Sequence, residues 1–309
     1  MITWVIETHR PDSEYRQAID SVSTLNGPVL DVEGLFTDLD LGRGAFRALT
    51  EKQRKGLAGK VCRCLGDYFK DISQQRPAAA LYEAFAGRIE KDDVVVTFNY
   101  DVSLENELIR AHKSRVRNGY GSSLLADWDE PDSDVIVLKP HGSINWTAAL
   151  FGGATGGVLQ ATNSLGPRPF VDNVDSVFPD YPSRVLDKTF QGGGVAKSAT
   201  LILPTYDKEF SVTTSLGNEW IPFYESLWSQ ATESLERSAR IVILGYSMPD
   251  ADYRSRALLL WSANKRAEVF VCCGSSNEAV KAQFRSHGFG RVHYMGSFAD
   301  LARSWLPTV

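Results

Sequence analysis

Two apolar runs in this chain each end in residues able to do chemistry. Val94-Val95-Val96-Thr97 leads into Phe98-Asn99-Tyr100-Asp101, and Val135-Ile136-Val137-Leu138-Lys139-Pro140 leads into His141-Gly142-Ser143. Asn99 brings an amide, Asp101 a carboxylate, and His141 an imidazole whose ordinary pKa of about 6.5 suits a general base. Both runs read as buried parallel strands, and open parallel sheets bind ligands outside the carboxyl ends of their strands. Asn99, Asp101 and His141 are therefore expected to share one crevice. Two later runs repeat the asymmetry: Ile241-Val242-Ile243-Leu244 is followed by Gly245-Tyr246-Ser247, and Val269-Phe270-Val271-Cys272 by Cys273-Gly274-Ser275-Ser276. Gly142, Gly245 and Gly274 let a ligand approach the main chain closely, and backbone amides exposed at such turns suit a phosphate or a ribose. A nucleotide is the expected ligand class.

The elements that must position these residues alternate between strand and helix, the pattern of an α/β fold with crossover connections. The expected architecture is a Rossmann-like, mostly parallel sheet with helices on both faces. Val61, Leu65, Tyr68, Phe69 and Ile72 recur at helical spacing within residues 56–73, and residues 79–89 repeat the pattern. A helix is expected over 103–112, with Leu104, Leu108 and Ala111 on one face, Ser103 as its cap and Asp101 at its entrance. Trp220, Tyr224, Leu227, Trp228, Ala231 and Leu235 form an apolar stripe leading into the strand at 241–244. Helix is expected to resume over 257–261, with a further helix over 278–286, a strand over 292–294 and a terminal helix over 298–305. Trp220, Trp228 and Trp261 read as core residues, while Asp250 and Asp252, following Pro249, read as helix caps.

The whole chain, 1–309, reads as one domain with a small inserted module or lid over 147–200, where Gly, Pro, Asn and Asp replace helical periodicity. The clusters Gly152-Gly153-Ala154-Thr155-Gly156-Gly157 and Gly192-Gly193-Gly194 lack a strand-to-helix context. Lys197-Ser198 lacks the glycine that a phosphate loop places before its lysine, so turns or a mobile lid are expected there.

Composition narrows the function classes. With 43% hydrophobic and 23% charged residues in 309, the chain can bury a sizeable core. Its apolar runs fall far short of the roughly 20 residues that span a bilayer. The start, Met1 to Arg10, has neither the basic opening nor the small-residue cleavage site of a secretory signal, so a cytoplasmic protein without a membrane partner is expected. The four cysteines, Cys62, Cys64, Cys272 and Cys273, make a poor disulfide framework and read as reduced. A net charge of −5 argues against direct nucleic-acid binding. His9, His112, His141, His287 and His293 show no metal-ligand spacing, so no metal is expected.

Four blocks resemble the sirtuin-related SIR2-like family, especially its branch in bacterial antiphage defence. Thr97-Phe98-Asn99-Tyr100-Asp101 is similar to the family's Thr-x-Asn-x-Asp block, and His141-Gly142-Ser143 to the block with its catalytic histidine. Leu203-Pro204-Thr205 and Gly245-Tyr246-Ser247 are similar to the two later blocks. The resemblance covers roughly Val29 to Leu301 and implies NAD as substrate. It places Asn99 on the ribose or on a water, Asp101 on the nicotinamide carboxamide and His141 on the ribose hydroxyls, with Gly142 and Ser143 beside it. Gly245 and Ser247 would line the adenosine side, with Cys273, Gly274 and Ser275 nearby. Implied partners are NAD or a related nucleotide, and either a second copy of the chain or a partner protein of a defence system.

Two departures from the family pattern bear on activity. The zinc ribbon of the classical deacylases needs two cysteine pairs, yet the insertion holds none, and Cys62-Arg63-Cys64 has the wrong spacing and position. The family also opens on a strand and a Gly-Ala-Gly-x-Ser turn for the NAD diphosphate. Here Ile2-Thr3-Trp4-Val5-Ile6 runs into Glu7-Thr8-His9-Arg10, and no glycine precedes Gly27. Val32-Glu33-Gly34-Leu35-Phe36 resembles a block found well downstream of that turn, so the first unit reads as missing or replaced and the start as truncated. Three readings follow: an NAD glycohydrolase, favoured by the Asn99, Asp101 and His141 blocks; a weak or inactive nucleotide-binding partner subunit; and, less favoured, a protein deacylase.

Overall fold

The computed structural model describes residues 32–54, 57, 69, 79–115, 118–121, 131–150, 157–161, 195–197, 200–201, 221–249 and 252–304. The opening residues before Val32, all but two residues of the expected helix over 56–73, both cysteines near 62, the first glycine cluster except Gly157, the whole of the second, the Leu203-Pro204-Thr205 block, Trp220 and Asp250 lie outside them.

β-Branched runs become strands, since a branched Cβ packs well on a pleated surface. Strand β1 (Val94–Val96) pairs in parallel with β2 (Ile136–Leu138), aligning Val95 with Val137. Thr97 N–H extends the ladder by donating to Leu138 O at 2.9 Å. Three further strands, β8 (Arg240–Leu244), β9 (Glu268–Cys272) and β10 (Val292–Tyr294), form a second parallel sheet in the order β10-β9-β8. The fold is thus mixed α/β with short parallel sheets and helices. Among the described residues no ladder joins the two parallel sheets; they meet through side chains of one apolar core.

Between them the chain is antiparallel. Strand β3 (Gly142–Ser143) pairs with β7 (Thr200–Leu201), and β4 (Trp146–Leu150) lies between β5 (Gly157–Ala161) and β6 (Val195–Lys197). The segment whose composition broke the helical pattern thus contributes hairpin-like pairing immediately after His141.

The helices follow their apolar periods. Helix α1 (Val32–Leu41) precedes α2 (Ala79–Arg88), and α2 packs against α3 (Ser103–Arg110) and the late helix α7 (Phe298–Ser304). Helix α4 (Ile221–Arg237) buries Phe223, Tyr224, Leu227, Trp228, Ala231 and Leu235, the stripe expected from spacing with Phe223 added. It lies against β2 and against a π-turn at Leu258–Ser262 that continues the short helix α5 (Tyr253–Ala257). Helix α6 (Asn277–Ser286) connects β9 to β10.

Four sequence expectations are corrected. Helix α3 begins at Ser103 itself, and Asp101 Oδ1 accepts the Ser103 N–H at 3.0 Å, so Asp101 serves the helix entrance in place of a serine already inside the first turn. Leu104 and Leu108 of the expected α3 face pack on the core, but Glu105, Asn106 and Glu107 are buried beside them, and Ala111, which follows the last residue of the helix, is exposed. Helix resumes at Tyr253, earlier than expected, and the π-turn buries Leu258, Leu259 and Leu260 together, leaving Trp261 56% exposed outside the core. The carboxylate of Asp252 makes no capping bond to α5.

Phe284 has no exposed surface and meets Phe289 edge-on at 5.0 Å between centroids. Phe284→Ala is expected to cost about 3–5 kcal/mol, read as a lower urea midpoint with an unchanged slope.

Candidate functional site

Side chains at the ends of β1, β2 and β8 meet in one aromatic seam. The Phe98 ring, after β1, lies 5.1 Å from the His141 imidazole after β2 and 5.0 Å from the Tyr246 ring after β8. Trp228 of α4 closes the group, 6.2 Å from Phe98 and 6.1 Å from His141. The end of β9 joins through Cys273, whose thiol donates to the Tyr246 carbonyl at 3.3 Å. Burial pushes that thiol above its ordinary value, so it stays protonated as a donor. Tilted rings at these separations are the favourable arrangement for aromatic quadrupoles.

His141 is only 6% exposed. Its Nε2 lies 3.8 Å from Asp252 Oδ1, and the Asp252 side chain is equally enclosed. Asp252 Oδ2 accepts from the Tyr246 hydroxyl at 2.9 Å, and Oδ1 from Ser255 Oγ at 2.8 Å. The turn that delivers Asp252 passes through Met248 at φ 55°, a left-handed conformation costing a non-glycine residue about 1–2 kcal/mol and held by a buried side chain.

A second polar network lies beside the seam. Lys139, two residues before His141, has no exposed surface; its ammonium pairs with Glu105 Oε1 of α3 at 2.6 Å and donates to the Asp101 carbonyl. One lysine thus ties the end of β2 to the loop after β1 and to the helix that follows. Burial pushes the Glu105 carboxyl up, and the Lys139 ammonium pulls it part of the way back. Tyr82 of α2 also feels this cluster: burial raises its phenol first, and the Asp101 and Glu105 charges add to the rise. Tyr120, Asn145 and Ser143 form a third buried set, with Asn145 Nδ2 donating to Tyr120 Oη at 2.9 Å and Ser143 Oγ to Asn145 Oδ1 at 2.6 Å.

These contacts sort the expected site residues. His141 stands in the seam, Asn99 is exposed on the adjoining loop, and half-buried Asp101 uses one carboxylate oxygen on the Ser103 N–H. Gly142 closes a tight turn by donating to Lys139 O at 2.9 Å, and Ser143 faces inward with no exposed surface. Gly245, Ser247, Gly274 and Ser275 are exposed. Gly245 at φ 64° and Gly274 at φ 58° have open space where a Cβ would stand, so both turns admit close approach to the backbone.

No family model matches the chain, and no curated protein matches it. The site therefore stands on its own geometry.

Three participants escaped the sequence reading: Asp252, Lys139 and Glu105. Asp252 carries the signature of a helix cap, and only its side-chain direction distinguishes the two roles. For Lys139 a signal existed, a single cation at the end of an otherwise apolar strand, which needs a buried anion to persist. Among the described residues no cluster of three or more His, Cys, Asp or Glu is placed to hold a metal ion, and no helix is long and apolar enough to cross a membrane.

Removing Lys139 strands the Glu105 charge. Lys139→Met is expected to destabilise the fold by about 3–5 kcal/mol at neutral pH, and Lys139→Met with Glu105→Gln to recover part of that loss. A carboxyl raised in the folded state binds its proton there more readily than in the unfolded chain, so its contribution weakens as pH climbs above the ordinary carboxylate range. The single variant's deficit should therefore shrink in acid, where Glu105 is protonated. Urea unfolding at the two pH values reads the difference.

Proposed function

We propose that this chain is a SIR2-like NAD glycohydrolase with a Rossmann-like parallel core, cleaving the bond between nicotinamide and ribose and serving antiphage defence. The observation that carries the reading is the meeting of the strand ends after β1, β2 and β8 around His141. Nicotinamide leaves NAD as a neutral ring from a cationic one, so the departure needs no general acid. The site must instead stabilise positive charge developing on the ribose. A neutral His141 accepting a ribose proton and an Asn99 carbonyl turned to the ring would do so, with water completing hydrolysis. Asp101 is assigned to the nicotinamide carboxamide, Gly142 and Ser143 to the site around His141, and the open turns at Gly245, Ser247, Gly274 and Ser275 to the remainder of the dinucleotide.

A second reading, nucleotide binding without hydrolysis, is favoured by the enclosure of His141 among Phe98, Trp228 and Asp252, which fits a structural histidine. In that case the chain is a partner subunit of a defence complex. Incubating the purified protein with NAD and following free nicotinamide separates the two. The glycohydrolase reading expects release that falls about 10²- to 10⁴-fold in His141→Ala and strongly in Asn99→Ala, with both variants folded by circular dichroism. A thermal shift with NAD and no nicotinamide supports the second reading; neither shift nor release sinks both.

A further inference from the structure

The geometry points to a face at the far end of the strands from His141 by which two copies of this chain pair, the acidic half of each lying on the basic half of the other. The loops entering β1 and β2 carry Glu90, Asp92, Asp93, Asp132 and Asp134, all exposed. They are held as one patch: Asp92 N–H donates to Asp134 O at 2.9 Å, and Asp93 Oδ2 accepts the Glu90 N–H at 2.7 Å. Lys91 within the patch pairs with Asp134 at 3.6 Å, and neighbouring Lys113 spends its ammonium on the Gly87 and Ile89 carbonyls at the end of α2, where Arg88 is also exposed. The loops entering β8, β9 and β10 carry the opposite sign, with Arg237, Arg240, Lys265, Arg266 and Arg291 all exposed. These loops too are knit together, Arg291 donating to Arg266 O at 2.6 Å and Asn264 Nδ2 to Ser238 O at 3.0 Å. The carboxylates beside them are exposed Glu236 on the last turn of α4 and Glu268, largely enclosed and 3.1 Å from His293 Nε2.

Both sets of loops precede their strands, while the seam of Phe98, His141 and Tyr246 follows them. Strands that share one core and whose carboxyl ends converge run side by side, so their entry loops share the opposite edge. Helix α4 spans that distance: Trp228 touches the seam, and Leu235 O accepts the Asn264 N–H at 3.1 Å. A face with one acidic and one basic half is complementary to itself. A two-fold axis lying in the face along their boundary sets each half on its opposite, the isologous arrangement of a closed dimer. A polyanion such as nucleic acid would fit one half and be repelled by the other. An apolar anchor stands beside each half. Trp261, turned outward by the π-turn and 56% exposed, meets the His287 ring at 5.9 Å, where α6 gives way to the loop into β10. Val94, 40% exposed, opens β1 next to the acidic loop. Buried tryptophan supplies much of the energy of such interfaces, and the charges supply register and selectivity.

The pairing stands apart from the proposed NAD cleavage, since this face holds none of Asn99, Asp101 and His141. Sedimentation velocity of the purified chain at micromolar concentration is expected to show a species of twice the 34.2 kDa chain mass, loosening as salt rises from about 0.05 to 0.5 M. Arg240→Glu with Arg266→Glu, or Glu90→Lys with Asp132→Lys, tips the face towards one sign. Each double variant, folded by circular dichroism, should raise the dimer Kd about tenfold or more. Mixing the two should restore a dimer, because a face made acidic then meets a face made basic. Trp261→Ala should weaken the wild-type dimer by about tenfold and decides the matter if a charge variant does not fold. A chain that stays monomeric at these concentrations overturns the inference, and so does a dimer indifferent to the variants and to their mixing. Binding of single-stranded DNA or of an acidic protein to the basic loops of a monomeric chain overturns it as well.

Discussion

An ammonium group with no exposed surface survives only where charge and hydrogen bonds meet it, and the arrangement around Lys139 follows from that constraint. The Glu105 carboxylate and the Asp101 carbonyl supply what water would have supplied. Because those partners lie on α3 and on the loop after β1, the lysine fixes three pieces of chain at once. His141 follows Lys139 by two residues, so the loop bearing Asn99 and Asp101 is set relative to the imidazole by a contact that uses the Asp101 main chain and leaves the side chains of Asn99, Asp101 and His141 out of it. An apolar replacement of such a pair is often neutral in stability, which makes geometric specification the better account of its presence.

The two parallel sheets depend on a different kind of contact. No ladder connects β1 and β2 to the β8-β9-β10 sheet among the described residues, and the aromatic seam does that work. Phe98 touches His141, Trp228 and Tyr246, so one ring following β1 reaches β2, α4 and β8. Ring packing is short-ranged and shape-dependent, and interiors are close-packed, so a displaced loop would forfeit contacts on several sides. The seam thereby encloses His141 while the glycine turns at Gly245 and Gly274 stay open.

Much of the fold was legible in local pattern. The strands at 94–96, 136–138, 240–244, 268–272 and 292–294 stand where apolar runs placed them, and helices α2, α4, α6 and α7 follow their periods closely. Misreadings share a cause. Ala111 and Trp261 read as apolar-face residues because spacing does not show that α3 ends at Arg110 or that a π-turn rotates Leu258 to Leu260 inward. Ser103 yielded the helix entrance to Asp101, since both types accept a backbone N–H and only the backbone path selects between them. Asp252 reads as a cap for the same reason: a carboxylate at a helix start looks alike in sequence whether it faces the first turn or a histidine.

The sequence by itself determined where the parallel strands run, which polar residues close them, and that Asn99, Asp101 and His141 follow strand ends, because burial and backbone preference act over a few neighbouring residues and leave a periodic trace. Only the tertiary structure decided that His141 would face Asp252, that Lys139 would hold Asp101 and Glu105, and that Ser143 would turn inward to Asn145. Those pairings join residues distant along the chain, and their strength comes from desolvation and orientation inside a packed interior, quantities that exist once the chain has closed on itself.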